Sequence, residues 1–443
     1  MKVRRLPVNP GPAGWDRLLP PPAPPEVLEA RITADWLVIG AGFAGLAAAA
    51  RLAELHPGAR IVVLEASRVG AGPAGRNSGF MIDLPHDLAS DAYSGALDRD
   101  RAETVANRAG IDFAARMAAQ HGLTEEAFLQ SGKTNAAATE TGHRHNLDYA
   151  RHLDTLDERY EMLDAAAMQE MTGIPYYRSG LFTPGSAMIQ PAMFVRGVAA
   201  GLRSKRVQVF EGSPVTDLSR AGDWTATTPK GAVTAPHVIL AVNGHAESFG
   251  QFENRLLHVH TYASMTRALS TEETARLGGR AQWGLTPADP MGTTVRRISG
   301  TGGDRIIIRN RFTCDPTLEV PEGRLASVAR DHARAFAARF PMLVGVEMAH
   351  LWGGRLCLSL NNVPALGEVA PGLFSAVCQN GLGTAKGTLH GMLIAELASA
   401  HGSDLLTQVM AQDAPRSLPP RWITKLGATA RMRWGEWRAG AEL

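Results

Sequence analysis

Three glycines and one carboxylate carry the first recognisable chemistry in this chain. Gly40, Gly42 and Gly45 follow the spacing Gly-x-Gly-x-x-Gly, and Glu65 lies 20 residues past the last of them. Gly40 allows a tight turn, Gly42 lets a pyrophosphate approach the backbone, and Gly45 lets a helix pack closely on a strand. Glu65 can accept hydrogen bonds from both ribose hydroxyls of an adenosine. The elements that must position these residues are written around them. An apolar strand, Trp36-Leu-Val-Ile39, runs into the first glycine, and an Ala-rich helix runs on to about His56, where Pro57 and Gly58 stop it. A second strand, Ile61-Val-Val-Leu64, delivers the acid. The helix N-terminus offers free N–H groups and partial positive charge to phosphates. A Gly-x-Gly-x-x-Gly alone is weak evidence. Placed between strand and helix, with its acid at this distance, it indicates dinucleotide binding rather than a Gly-rich turn.

After Glu65 comes a second glycine-rich stretch containing Gly72, Gly75, Arg76, Asn77, Ser78 and Gly79, which reads as backbone wrapped around something bound. Residues 98–121 and 146–171 have helical periodicity, and 191–203 reads as a helix with Pro191 in its first turn. Short strands are expected at 207–211, 213–218, 224–228 and 238–242, the last a continuous apolar run suited to a buried parallel strand. From 257 the pattern changes to an antiparallel sheet, with strands at 258–266, 293–298 and 305–309. A helix at 323–340 follows. Strand 373–377 then enters a second glycine turn, Gln379 to Gly387, that opens a helix ending near Ala400. This turn lies more than 300 residues from the first. Its distance favours FAD over a nicotinamide, because the isoalloxazine ring sits far from its own adenosine. A helix N-terminus aimed at the ring's N1–C2 carbonyl edge stabilises the charge gained on reduction. No second Gly-x-Gly-x-x-Gly with its own acid is visible, so electrons are expected directly from an organic substrate.

Composition excludes several classes. The chain has 443 residues, a net charge of +2 and three cysteines far apart in sequence. Near-neutral charge gives no reason to expect a nucleic-acid partner. The cysteines form no framework and suit a reducing compartment. The N-terminus lacks an apolar h-region, so no secretory signal is expected, and the cytoplasm is the default location. The most apolar stretch, 36–50, is too short and too rich in Gly and Ala to span a bilayer, so no transmembrane segment is expected. His143 and His145 have no accompanying ligand set, and no metal is expected.

Taken together, the segments resemble the D-amino-acid-oxidase-like family of FAD enzymes, which includes glycine and sarcosine oxidases. Within it the similarity is greatest to gamma-glutamylputrescine oxidase-like proteins. The carrying residues are Gly40–Gly45 with Glu65, the Gly72–Gly79 loop, Val238–Asn243, Trp352-Gly-Gly-Arg355, Pro364-Ala-Leu-Gly367 and Asn380–Gly387. The resemblance implies an α/β fold: a discontinuous Rossmann-type FAD-binding domain with an inserted α+β substrate domain on a mixed or antiparallel sheet. The expected boundaries are a Pro-rich arm at 1–30, an FAD domain at 31–95, 186–256 and 355–405, and a substrate domain at 96–185 and 257–354. Residues 406–443 would form a tail packed on the FAD domain, with its tryptophans inward and its arginines in water. Contact of that Arg- and Trp-rich tail with a membrane surface or a partner is the alternative.

The resemblance also places cofactor contacts. Gly40, Gly42, Phe43 and Ala44 would line the pyrophosphate, while Glu65, Ala66 and Arg68 would hold the adenosine. Val215 would meet the adenine side. Arg76, Asn77, Ser78 and Gly79 would run along the isoalloxazine, and Gly381, Gly383, Thr384 and Lys386 would lie near its C2 carbonyl. Some relatives attach flavin to a Cys before the Pro-x-x-Gly segment. Cys357 is about three residues too close to Pro364, so noncovalent FAD is expected. Arg355 is offset by one from an Arg that holds a substrate carboxylate in many relatives. Where gamma-glutamylputrescine oxidases tend to have Gly-Gly, this chain has Arg309-Asn310.

The implied reaction is oxidation of a C–N bond in a small amine or amino acid. Hydride passes to flavin N5, the imine is hydrolysed, and O2 or another acceptor takes the electrons. Arg355 is the first candidate for a carboxylate anchor, with a structural salt bridge as the alternative. Arg309 is a second candidate cation, although alternation with Arg305 and Arg311 equally suits a solvent-facing strand position. His260 and Tyr262 lie on the strand that borders the pocket in relatives, and His86 follows the flavin loop. The rival readings are a flavin monooxygenase or halogenase fed by external reductant, and a flavin-stabilised structural protein.

Overall fold

Four sheets and the helices between them are described over residues 1–85 and 97–443 of a computed structural model. The nucleotide sheet has six strands, in the order Val207–Phe210, Ile61–Leu64, Trp36–Ile39, His237–Leu240, Leu373–Val377 and Ala365–Ala370. All neighbours pair in parallel except the last two, which are antiparallel. Strands Trp36–Ile39 and Ile61–Leu64 are buried at every position, which is why they read as unbroken apolar runs. Helix Phe43–Leu55 covers one face and crosses helix Ala385–Ala398. Glycine allows that crossing: a Cβ on Gly391 would lie 2.1 Å from the carbonyl oxygen of Ala44.

A second, eight-stranded mixed sheet stands beside it. Its order is Met348–Leu358, Leu257–Thr266, Arg305–Cys314, Thr294–Ile298, Trp283–Pro287, Lys133–Ala137, Ser179–Thr183 and Glu161–Asp164. Only the Trp283–Pro287 and Lys133–Ala137 pair is parallel. The chain is therefore α/β, with a Rossmann-type unit and an inserted α+β unit on a mixed sheet. Strand Met348–Leu358 runs through the boundary expected at 354/355, so the inserted sheet ends four residues later.

Three local expectations are corrected. The single helix expected over 146–171 is a helix Glu140–Leu156, a strand Glu161–Asp164 and a helix Ala165–Thr172. Asp157 ends the first helix in the left-handed region at φ 60°, and pairing with Ser179–Thr183 holds the intervening residues extended. The strand expected from 213 begins at Asp217, beyond Pro214. Only the first part of the tail packs on the FAD domain, where Leu406 and Val409 join its core and the Leu418 N–H donates to the Asn254 carbonyl at 2.7 Å. Helix Arg421–Ala439 lies against strand Arg305–Cys314, where Glu436 accepts from Arg311 (2.9 Å) and from the Phe312 N–H (3.3 Å). Glu442 then accepts from the Ala138 and Thr139 N–H groups, each at 2.8 Å. The tryptophans Trp422, Trp434 and Trp437 face outward. Among the described residues, no helix is long and apolar enough to cross a membrane.

Candidate active site

One continuous cleft runs from the carboxyl ends of the parallel strands to the edge of the eight-stranded sheet. Its walls begin at the first glycine turn. Gly40 adopts φ +106°, a conformation that favours glycine. A Cβ on Gly45 would lie 1.8 Å from the carbonyl oxygen of Gly40, so this glycine packs helix on turn and does not itself face the cleft. Gly42 opens helix Phe43–Leu55 with no side-chain cap, and the N–H groups of Phe43 and Ala44 have no acceptor among the described residues. Helix Ala385–Ala398 is the second such element. It also lacks a side-chain cap, and the Thr384 hydroxyl instead donates to the Phe80 carbonyl at 2.6 Å. Two helix N-termini without side-chain caps, from opposite ends of the sequence, thus open on one cleft, the second with its Lys386 N–H already bonded to the Leu382 carbonyl at 3.0 Å. Each presents donors and partial positive charge.

The glycines leave room for a bound group. A Cβ added to Gly72 or Gly383 would meet nothing within 4 Å, and one on Gly42 would meet only Ala74. At the far end, Glu65 accepts from the N–H groups of Ala41 and Ser67, both at 3.0 Å. Burial nevertheless raises its carboxyl above the ordinary value. Ala66, Arg68 and Val215 line the same end, with Arg68 held by Glu211 at 3.1 Å. Asn77, Ser78 and Gly381 line the middle. Three residues of the turn region between sheet strands, Cys378, Asn380 and Asn243, have positive φ. These are strained positions of the kind that collect where a binding loop must hold its shape. A pyrophosphate over the first helix, an adenosine beside Glu65 and a flavin ring before the second helix fit this arrangement.

Several residues expected at the cofactor are used otherwise. The Arg76 guanidinium donates to the carbonyls of Ala71 (2.6 Å), Pro10 (3.0 Å), Gly11 (2.7 Å) and Gly353 (3.1 Å), stapling the N-terminal arm to the loop. Gly75 and Gly79 pack against Gly70 and Arg296 and lie outside the cleft lining. Lys386 turns away to Glu103, at 2.7 Å. His260 and Tyr262 are sealed from the cleft as well: His260 is 3.7 Å from Asp315, and the Tyr262 hydroxyl meets Thr313 at 2.6 Å. His86 lies outside the described residues.

The substrate-sheet end is cationic. Arg355 lines the cleft, donating to Nε2 of His245 (2.7 Å) and to the Leu318 carbonyl (3.2 Å), while its Nη2 has no partner among the described residues. Burial, then the neighbouring Arg355 charge, lowers His245 to about 3, so its ring is neutral and accepts. Arg309 lines the cleft beside Thr286, Pro287, Pro290 and Thr294. It sits over the Phe312 ring at 4.7 Å and has no ion pair or hydrogen bond among the described residues. Burial lowers Arg309 and Arg355 to about 10 each, so both stay cationic at neutral pH. The expected alternation with Arg311 fails because of a bulge. Tyr262 pairs with Asn310 and Thr261 with Phe312, which leaves Arg311 unpaired at φ 61°. Arg311 turns to Asp331 and Glu436, and Asn310 to Thr293, so only Arg309 reaches the cleft. The sequence reading missed His245, and also the arm residues Val3, Arg5, Leu6, Pro7 and Asn9 that line the cleft. The Pro-rich character of the arm was the one available signal.

A dinucleotide cleft with a second helix aimed into it and a cationic inserted sheet defines the flavin-dependent oxidoreductases of the glycine-oxidase fold. The family model described as FAD dependent oxidoreductase (DAO) matches residues 35–397, and this chain belongs to that family. It is similar to the gamma-glutamylputrescine oxidoreductase of Escherichia coli (strain K12), with 27% identity over 397 residues, covering 85% of this chain and 86% of the relative. A probable oxidoreductase, OrdL, of Haemophilus influenzae is 26% identical, with 82% of each chain covered. Among solved structures, glycine oxidase from Geobacillus kaustophilus superimposes with a TM-score of 0.67 at 20% identity, over 86% of this chain and 99% of that one. Iminodiacetate oxidase from Chelativorans sp. gives 0.68 at 16% identity, over 86% and 100%.

Proposed function

We propose that this FAD-dependent oxidoreductase oxidises the C–N bond of a small amine bearing a carboxylate, with Arg309 as the carboxylate anchor. The observation that carries this reading is an arginine on the cleft wall with no acid among the described residues to neutralise it. A half-buried cation with no partner among the described residues is costly, and a substrate anion relieves the cost. A guanidinium also grips a carboxylate through two parallel hydrogen bonds, which fixes orientation as well as affinity. Arg355 is the weaker candidate, since His245 and Leu318 already occupy part of its donor set. Bound FAD supplies the two-electron acceptor for a hydride leaving the carbon next to nitrogen. The residues of this chain do the rest. Arg309 orients the substrate, and the uncapped helix Ala385–Ala398 offers N–H groups to developing negative charge. Neutral His245 and buried Arg355 keep a cationic wall at the same end.

Similarity to relatives named for glycine, iminodiacetate and gamma-glutamylputrescine supports an amine donor. Noncovalent FAD, reoxidation by O2 or another acceptor, and a cytoplasmic setting belong to the same reading. The test is product analysis with a panel of amino acids and N-substituted amino acids. The reading requires a carbonyl product and released amine with no added reductant. A hydroxylated or halogenated product formed only with NAD(P)H or a reductase would overturn it.

A further inference from the structure

The outward face of helix Arg421–Ala439 gathers five exposed large hydrophobic side chains. Trp422 is 71% exposed, Leu426 67%, Trp434 54% and Trp437 78%, with Ile423 beside them. The five other tryptophans, Trp15, Trp36, Trp224, Trp283 and Trp352, are all buried. At about 100° per residue these five exposed side chains fall on one arc of the helix. The opposite arc, centred on Glu436 and Ala439, is the buried one. An amphipathic helix ordinarily turns its apolar face inward, and this one is reversed. A patch of this kind marks an interaction surface.

Charge identifies what covers it. The helix carries Arg421, Lys425, Arg431, Arg433 and Arg438; Arg433 falls within the apolar arc and Lys425, Arg431 and Arg438 flank it, while Arg421 lies on the buried side and meets Glu247 at 3.9 Å. Its one acid, Glu436, is buried against Arg311 and Arg433. A second copy of this chain, meeting face to face, would set Arg433 and the basic edges of the apolar arc against the same charges. An anionic bilayer surface complements both features, because indole rings favour the headgroup boundary and basic side chains favour anionic lipid. We propose that this helix docks the enzyme peripherally on an anionic phospholipid surface. The docked element also touches the cleft. Gly435 packs on Met291, and the Leu443 carbonyl accepts from Thr293, next to the lining residues Pro290 and Thr294. The docked element is thereby mechanically linked to the substrate end of the cleft through its inward face.

The test uses the full chain with FAD bound. It is mixed with vesicles of phosphatidylglycerol and phosphatidylcholine, or of phosphatidylcholine alone, and scored by cosedimentation and tryptophan emission. Binding to the anionic vesicles, weakened by salt and accompanied by a blue shift, is expected. The triple variant Trp422→Glu, Leu426→Glu, Trp437→Glu should lose roughly tenfold or more in binding, with flavin content and melting temperature unchanged. Lys425→Glu should weaken binding to anionic vesicles alone. Absence of vesicle binding overturns the proposal, as does equal binding to both vesicle types. So does a dimer that the triple variant disperses, because the face then belongs to a second copy. The readout is lipid binding, so it stands whether or not a carboxylated amine proves to be the substrate.

Discussion

Replacing Arg309 with Met removes the guanidinium, which sits over the Phe312 ring, and keeps most of the apolar stem. In the free enzyme the cation has no acid to lose, so the fold forfeits no ion pair. Burial already penalises the charge, and its removal should leave the melting temperature unchanged or higher. The substrate complex behaves oppositely. Removing one partner of a buried, hydrogen-bonded charge pair costs about 2–4 kcal/mol within the usual range, which is roughly 30- to 700-fold in kcat/KM. That loss should appear only with carboxylated amines. A matched amine without the carboxylate should lose little. Arg355→Met makes the contrast, because its guanidinium is bonded to His245 and Leu318 and its loss should affect both substrate types alike. The assay is anaerobic flavin reduction with paired substrates, plus a thermal melt of the free enzyme. Equal losses for both amines with Arg309→Met, or a clear drop in melting temperature, would refute the anchor.

Three further predictions follow from the same geometry. Gly42→Val should give a folded protein that purifies without flavin, since the new side chain enters open space over the phosphate turn, whereas Gly45→Ala should fail to fold because its Cβ meets the Gly40 carbonyl at 1.8 Å; circular dichroism and the flavin absorbance separate the two. Burial holds His245, His260 and His390 at about 3 and His332 at about 4, below the ordinary 6.5. The unfolded chain takes up those protons first as pH falls, so stability is full above about pH 6.5 and is lost toward pH 3–4; His390→Gln should reduce that slope by about 1.4 kcal/mol per pH unit in urea titrations. Deleting residues 1–9 removes the arm residues that line the cleft and should raise the FAD dissociation constant roughly tenfold, read by flavin fluorescence on dilution.

The cofactor half was legible because its physics is local. A glycine turn, the helix after it and the acid on the next strand are encoded within 31 contiguous residues, Asp35 to Glu65. The second turn could be paired with the first because FAD is long. The substrate half depended on contacts between distant residues. Arg309 looked solvent-facing until a bulge at Arg311 broke the alternation. Arg76 carried every mark of a flavin contact, yet four backbone carbonyls compete for its guanidinium. Lys386 found Glu103, and Tyr262 found Thr313. The tail misled for a related reason. A helix rich in tryptophan reads as one that buries them, but Glu436 and Glu442 are themselves buried against donors of the inserted unit and fix the opposite face inward.

The most direct measurement is anaerobic mixing of the oxidised, yellow enzyme with a carboxylated amine and no other reductant. The account predicts that the absorbance of the bound flavin is lost in a single substrate-dependent phase. A flavin that stays oxidised with every amine, and bleaches only on addition of NAD(P)H or a reductase, would contradict it.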